Sequence, residues 1–171
     1  MSTEKTAESS NLVSIICRTI GRAELAQALE SVAVQSYSPI ETILVNSAKI
    51  DLSCFNIDEK EITVVEPTKI LSRAEAANSG LDAASGNYLM FLDDDDWIAI
   101  DHVKNLVSAL EANSNIQAVY SSAQKTNFEG KTLDHIFNTD FNPYLLMRDN
   151  YIPIHTMLFR KALIDKGCRF D

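Results

Sequence analysis

The sequence predicts an α/β protein, a sandwich in which helices cover a mainly parallel sheet. Three observations predict it. Short apolar runs rich in β-branched residues recur at 12–17 (LVSIIC), 41–46 (ETILVN), 61–66 (EITVVE) and 87–92 (NYLMFL), the pattern of strands buried on both faces. Segments of helical period lie between most of them. Pro39, Pro67 and Gly86 punctuate the alternation.

The elements follow in order. RAELAQALESVAVQS (22–36) places Leu25, Leu29 and Val32 on one helical face. In SRAEAANSGLDAASG (72–86) Ser72 is the expected N-cap, Glu75 completes a capping box and Gly86 ends the helix. IDHVKNLVSALEAN (100–113) carries the stripe Val103, Leu106, Val107 and Leu110, with Asp101 as a sufficient cap. QAVYSSAQKTNF (117–128) reads as one strand and EGK (129–131) as a turn. FNPYLLMRDN (141–150) holds a short helix, and HTMLFRKALIDKG (155–167) a strand running into a helix stopped by Gly167. Residues 1–11 (MSTEKTAESSN) read as a disordered polar tail and 12–171 as one domain.

Composition narrows the function. A chain of 171 residues is long enough to bury roughly two-thirds of its unfolded surface. The net charge of −9 argues against a nucleic-acid backbone as partner, which needs a basic face. Cys17, Cys54 and Cys168 form no C-x-x-C pair, so reduced thiols and a cytoplasmic location are expected, with a membrane met only through an acceptor. No apolar run reaches the ~18 residues of a transmembrane segment.

Ligands of open α/β sheets bind beyond the carboxyl ends of the strands. The segments to inspect are CRTIGR (17–22), NSAK (46–49) and DDDDW (93–97). In extended chain, side chains at i and i+2 share a face about 6–7 Å apart. Asp93 and Asp95 are therefore expected to converge on one hard cation, Mn²⁺ or Mg²⁺, which relieves their repulsion and takes its other ligands from phosphates. The other reading is a solvated acidic turn that caps the next helix. Neither G-x-x-x-x-G-K-[ST], G-x-G-x-x-G nor G-x-S-x-G occurs, which speaks against P-loop, dinucleotide and serine-hydrolase chemistry.

The stretches VSIICRTIGRAELAQALESVAVQSY, ETILVNSAK, SRAEAANSGLDAASGNYLMFLDDDDW and TMLFRKALIDKGCRFD together resemble the inverting family-2 glycosyltransferases of GT-A fold. The block from Ser72 to Trp97 is the most specific part. The resemblance implies a three-layer sandwich whose sheet is mixed rather than wholly parallel. It also implies a nucleotide-diphosphate sugar as ligand, a UDP sugar first, with an acceptor of unknown identity. The family's D-x-D falls on Asp93 and Asp95, which would hold the metal, Asp95 bridging it to the phosphates, with Asp93 and Asp94 near the ribose. Arg73, Asn78 and Thr19 match nucleotide-side positions. Against these stand a surface charge, a local helix hydrogen bond and a turn hydroxyl.

The chain departs from the family pattern in two places. Arg18-Thr19-Ile20-Gly21 stands where the family usually has P-T-Y-N, adding a cation at Arg18 and removing an aromatic. Asn46-Ser47-Ala48-Lys49 stands where the family usually ends a strand on an acidic pair and Gly-Ser; Asn46 and Ser47 would then face the base with neutral groups. Trp97 and His155 are candidate contacts to sugar or acceptor; a core or lid aromatic describes Trp97 at least as well, and a satisfied structural histidine describes His155 better. The family's catalytic base is expected beyond Asp171. Two rival readings are open: a degenerate, non-catalytic nucleotide-sugar-binding module, and a phosphatase with a D-x-D nucleophile.

Overall fold

The computed structural model describes residues 11–55, 57–58, 60–127 and 129–171; the expected tail, apart from Asn11, lies outside them. In chain order the elements are β1 (Val13–Thr19), α1 (Leu25–Ala33), β2 (Ile40–Asn46), a 3-10 turn (Ser53–Phe55), β3 (Ile62–Val65), α2 (Arg73–Ala83), β4 (Tyr88–Asp93) and α3 (His102–Glu111). Then come β5 (Ala118–Tyr120), β6 (Ala123–Thr126), β7 (Thr132–Phe137), α4 (Pro143–Arg148), a 3-10 turn (Ile154–Thr156), β8 (Met157–Arg160) and α5 (Ala162–Asp165).

The main sheet runs β3-β2-β1-β4-β8-β5. β1 pairs in parallel with both β2 and β4, and β2 with β3; β8 is antiparallel to β4 and to β5. The sheet is thus mixed, with β8 running against its five companions. The strand order reverses direction between β1 and β4, which opens a crevice at their carboxyl ends.

Alternating side chains divide two apolar layers, since successive residues of a strand point to opposite faces. Val13 and Ile15 of β1 join Tyr88, Met90 and Leu92 of β4 against Ala28 and Val32 of α1 and Val103, Leu106, Val107 and Leu110 of α3. Ile16, Leu89 and Phe91 face the other way, onto Ala76, Ala77 and Leu81 of α2 and Ile164 of α5. These are the three layers of the expected sandwich. At Gly80 α2 packs tightly on the sheet: a Cβ there would lie 2.2 Å from Ile16 Cγ2.

The N-terminal signals of α2 hold, whereas the helix ends at Ala83 with Ala84 extended, before the expected stop at Gly86. Ser72 accepts from the Glu75 amide and Glu75 returns the bond to the Ser72 amide, closing the capping box. Two further expectations are corrected. Asp101 makes no side-chain cap bond; its carboxylate accepts instead from Ser36 Oγ, tying α3 to the loop after α1. The strand expected at 117–128 is two strands of different sheets. β5 closes the main sheet, whereas β6 pairs antiparallel with the unexpected β7 in a separate hairpin. The run divides at Ser121 and Ser122: the Ser121 amide still bonds the Thr156 carbonyl, the next position of the β5–β8 pairing, and from Ala123 the chain pairs with β7 instead.

Candidate active site

The carboxyl ends of β1, β2 and β4 lie along one edge, and the reversed direction of β8 brings its own start, with His155, to that same edge. Arg18 and Asp93 are register partners on β1 and β4. The Arg18 guanidinium donates to Asp93 Oδ1 from Nε at 3.0 Å and from Nη2 at 2.5 Å, and its charge lies over the Phe91 ring, 5.3 Å from the centroid. Arg73, at the first position of α2, brings Nη2 to 3.7 Å from Asp93 Oδ2 while its side chain stays 86% exposed.

Asp94 is the buried member of the run. Its side chain is 1% exposed and accepts from Thr19 Oγ1 at 2.7 Å, the Ile20 amide at 2.9 Å and Arg22 Nη1 at 2.5 Å. Burial pushes this carboxyl up, but the bonds from Thr19, Ile20 and Arg22 together outweigh it and hold it below the usual carboxylate range. The same pair raises Arg22, chiefly through its bond to Asp94. Asp94 therefore shapes the turn Thr19–Arg22 from within. Beneath it Cys17 is fully buried, and burial followed by the charges of Asp94 and Asp93 pushes its thiol far up, so it packs as an apolar group.

The premise that Asp93 and Asp95 share an extended face is corrected. β4 ends at Asp93, and the chain closes at once into a turn in which the Asp96 amide donates to the Asp93 carbonyl at 3.1 Å. Each aspartate consequently points its own way. Asp95 is 48% exposed, with Arg22 Nη1 at 3.5 Å. Burial, opposed by Arg22 and reinforced by Asp96, raises its carboxyl. Asp96 meets His155, Nδ1 to Oδ2 at 2.8 Å. The acidic turn is held by guanidiniums and an imidazole, which is how four adjacent carboxylates are tolerated.

Other expected contacts are engaged elsewhere. The Asn46 amide donates to the Ile50 carbonyl at 2.8 Å and to Glu66 at 3.0 Å, and its oxygen accepts from the Ile50 amide. This saturation makes it a loop brace. Ser47 Oγ donates to the Thr19 carbonyl at 2.6 Å, stitching β2 to β1. Asn78 bonds the backbone of Phe170 in both directions, so it anchors the C-terminal segment rather than a neighbour on its own helix. Ile20, where an aromatic was the usual residue, is 54% exposed beside the crevice.

Two clefts meet at Asp96, Pro153 and His155. One, of about 650 Å³, runs between the turn Asp95–Trp97 and the β6–β7 hairpin, with Glu24, Gln124 and Asn127 on its walls. The other is lined by Arg18, Arg73, Asp93 and Asp171. Trp97 is partly buried and lines the larger cleft, and so belongs neither to the core nor to open solvent. Sequence reasoning missed Arg22 and Asp96. The signal for Arg22 was an arginine three residues past Thr19 at a strand end, absorbed into the reading of a helix start.

A family model described as glycosyl transferase family 2 matches residues 14–167. This chain is a member of glycosyl transferase family 2. Among its relatives, the uncharacterized glycosyltransferase YwdF of Bacillus subtilis is 31% identical over 170 residues, 93% of this chain and 62% of that protein. Glycosyltransferase GlyA of Streptococcus pneumoniae is 31% identical over 121 residues, 68% of this chain and 17% of that protein. The chain thus spans less than two-thirds of the length of these family members.

The fold is GT-A. The structure of S. aureus TarS 1–349 in complex with UDP-GlcNAc superposes with a TM-score of 0.72 at 17% identity, covering 94% of this chain and 48% of that one. Mannosyltransferase PcManGT from Pyrobaculum calidifontis, in complex with GDP-Man and Mn²⁺, gives 0.67 at 22%, covering 93% and 47%. Among the described residues of this family-2 chain, no helix is long and apolar enough to cross a membrane.

Proposed function

We propose that this family-2 chain binds a nucleotide-diphosphate sugar, a UDP sugar first, across the crevice between β1 and β4, and provides the donor half of an inverting, metal-dependent sugar transfer to an acceptor hydroxyl. One observation carries the reading. In a chain of net charge −9, Arg18, Arg22 and Arg73 gather on Asp93–Asp95 at the point where strand order reverses. A diphosphate needs that local concentration of guanidinium, and the crevice is where a GT-A sheet leaves room for it.

A divalent cation fits the donor set. Asp93 is committed to Arg18 and Asp94 to Thr19, Ile20 and Arg22, which leaves Asp95, among the described residues, as the half-exposed carboxylate without a close hydrogen-bonding partner on another residue. Among the described residues no three His, Cys, Asp or Glu side chains form a cage, and Mg²⁺ or Mn²⁺ in nucleotide sites commonly uses one or two carboxylates plus phosphate oxygens. Asp95 would hold the ion, with phosphate oxygens as further ligands. Bound there, the ion would supply Lewis acidity to the departing diphosphate. Arg73 is free enough to take a phosphate oxygen, and Trp97 offers an apolar face to the sugar.

Calorimetric titration with UDP-GlcNAc, GDP-Man and UDP, each with and without Mn²⁺, tests the reading. Metal-dependent donor binding that Asp95→Ala abolishes supports it. Binding that ignores both metal and Asp95 supports the degenerate sugar-nucleotide module, and no binding to any of the three overturns the donor assignment for this chain.

A further inference from the structure

The larger cleft is walled by groups for which donor binding gives no use. Glu24 and Gln27 rise from the start of α1, Asn127, Leu133 and Phe137 come from the β6–β7 hairpin, and Trp97 closes the end beside the acidic turn. Leu133 and Phe137 stand on one face of β7, as residues four apart in a strand do. Among the described residues, the Trp97 indole N–H, the Glu24 carboxylate and the Gln27 amide make no hydrogen bond within the chain. The Asn127 side-chain oxygen accepts from the Glu129 and Lys131 amides, at 3.1 and 2.9 Å, which fixes the turn and leaves its two N–H groups for a ligand. A two-stranded hairpin is marginal by itself in water, and this one is braced. The Gln124 side-chain amide donates to the Leu133 and His135 carbonyls, and the Tyr120 hydroxyl donates to the Thr139 carbonyl at 2.9 Å.

We infer that this cleft takes the acceptor, and that the acceptor presents an uncharged saccharide to it. The acceptor role rests on the donor reading given above; the saccharide chemistry rests on the walls themselves. A pyranose carries C–H groups on its ring faces and hydroxyls around its rim. Trp97, Phe137 and Leu133 offer aromatic and aliphatic surface to the first. Glu24, Gln27 and Asn127 offer acceptors and donors to the second, and hydroxyls use both. The volume of about 650 Å³ is that of a small-ligand site with room for more than one ring. The cleft shares Asp96, Pro153 and His155 with the arginine-lined cleft, so a saccharide end within it lies beside the donor.

Other acceptor chemistries fit these walls less well. An alkyl chain would take Glu24, Gln27 and Asn127 out of water without giving them partners. A phosphate-bearing chain would meet Glu24, Asp95 and Asp96, against which Lys125 is the one lysine or arginine among the described lining residues. Like charges brought together cost affinity.

Trp97 is the chain's one tryptophan, so its fluorescence reads the cleft directly. The 171-residue chain is titrated, without donor, with diacetylchitobiose, lactose and maltose, and with glycerol 3-phosphate for comparison. At least one disaccharide is expected to shift the emission to the blue and to shield the indole from acrylamide, whereas glycerol 3-phosphate should do neither. Gln27→Ala and Phe137→Ala should each weaken that disaccharide about tenfold, the loss of one good contact. Gln27 is an exposed helix position where alanine is favoured, so this variant keeps its fold even if Phe137→Ala disturbs the hairpin. Affinity for UDP-GlcNAc with Mn²⁺, measured by calorimetry, should stay within about twofold in Gln27→Ala. A response to glycerol 3-phosphate alone, or a disaccharide response that survives both substitutions, overturns the inference. A silent Trp97 with intact donor binding overturns the saccharide cleft and leaves the donor reading standing. Saccharide binding without donor binding overturns the donor reading and the acceptor role with it.

Discussion

Arg18 and Asp93 face each other across the β1–β4 seam as register partners, and the guanidinium grips one carboxylate oxygen from Nε at 3.0 Å and again from Nη2. Both side chains are mostly buried, 9% and 17% exposed. Removing one partner of such a pair strands the other charge away from water, a larger effect than the net worth of the pair. Arg18→Met is therefore expected to destabilise the chain by about 3 kcal/mol, the low end for a buried pair, because Arg73 stays 3.7 Å from Asp93. The urea midpoint measures this, and a double variant with Asp93→Asn should recover part of the loss.

Asp94 contributes stability that depends on pH. Its carboxyl is held below the ordinary value of 3.8, burial being outweighed by the bonds from Thr19, Ile20 and Arg22. The folded state thus releases the proton more readily than the unfolded one. The contribution is complete above about pH 4 and fades as pH falls through the lowered value. Asp94→Asn keeps an acceptor for Thr19 but turns an amide toward Arg22. It should cost about 2 kcal/mol at pH 7, with the gap to the parent chain narrowing below pH 4. Chemical denaturation at pH 7, 5 and 3 checks it, and a gap that widens with acid contradicts the assignment.

Gly80 is required by packing. Alanine gains about 1 kcal/mol of helix propensity over glycine. Yet its Cβ would meet Ile16 Cγ2 at 2.2 Å and Val45 Cγ2 at 3.3 Å, and Ile16 is itself fully buried between sheet and helix. Overpacking of this kind costs about 1–3 kcal/mol, so the clash wins. Gly80→Ala should lower thermal stability, and Gly80→Ala with Ile16→Val should restore it in part. An alanine variant more stable than the parent would show that α2 can lift off the sheet without penalty.

Arg73 separates binding from folding. Its side chain is 86% exposed, and among the described residues its only ion pair is the long one to Asp93. Arg73→Ala should change stability by less than about 0.5 kcal/mol, as for most surface substitutions. Loss of one charge-assisted bond to a phosphate should weaken donor binding about tenfold. Calorimetry beside a denaturation curve reads both, and equal donor affinity would remove Arg73 from the site.

Much of the fold is legible because it is written in local pattern. The buried runs that became β1, β2 and β4 are near-continuous apolar stretches, and the stripe of α3 repeats every 3.6 residues. The capping box of Ser72 and Glu75 is contained in four consecutive positions. The break at Ser121 and Ser122 was not legible: β5 pairs with β8 and β6 with β7, partners distant in sequence that no local period announces. Nor did any pattern show that Asn46 would be saturated by Ile50 and Glu66, or that Asn78 would hold Phe170.

The sequence by itself determined that helices alternate with buried strands, that the family is glycosyl transferase family 2, and that four carboxylates stand at the end of a central strand. Tertiary structure alone decided what each carboxylate does. Thr19 and Asp94 are 75 residues apart along the chain, as are Arg18 and Asp93. They meet because β1 and β4 are neighbours in the sheet, and His155 meets Asp96 because β8 runs backwards. Charge pairing acts through space over a few ångströms, whereas periodicity acts along the chain. The turn that begins at Asp93 converted four like residues into four different environments.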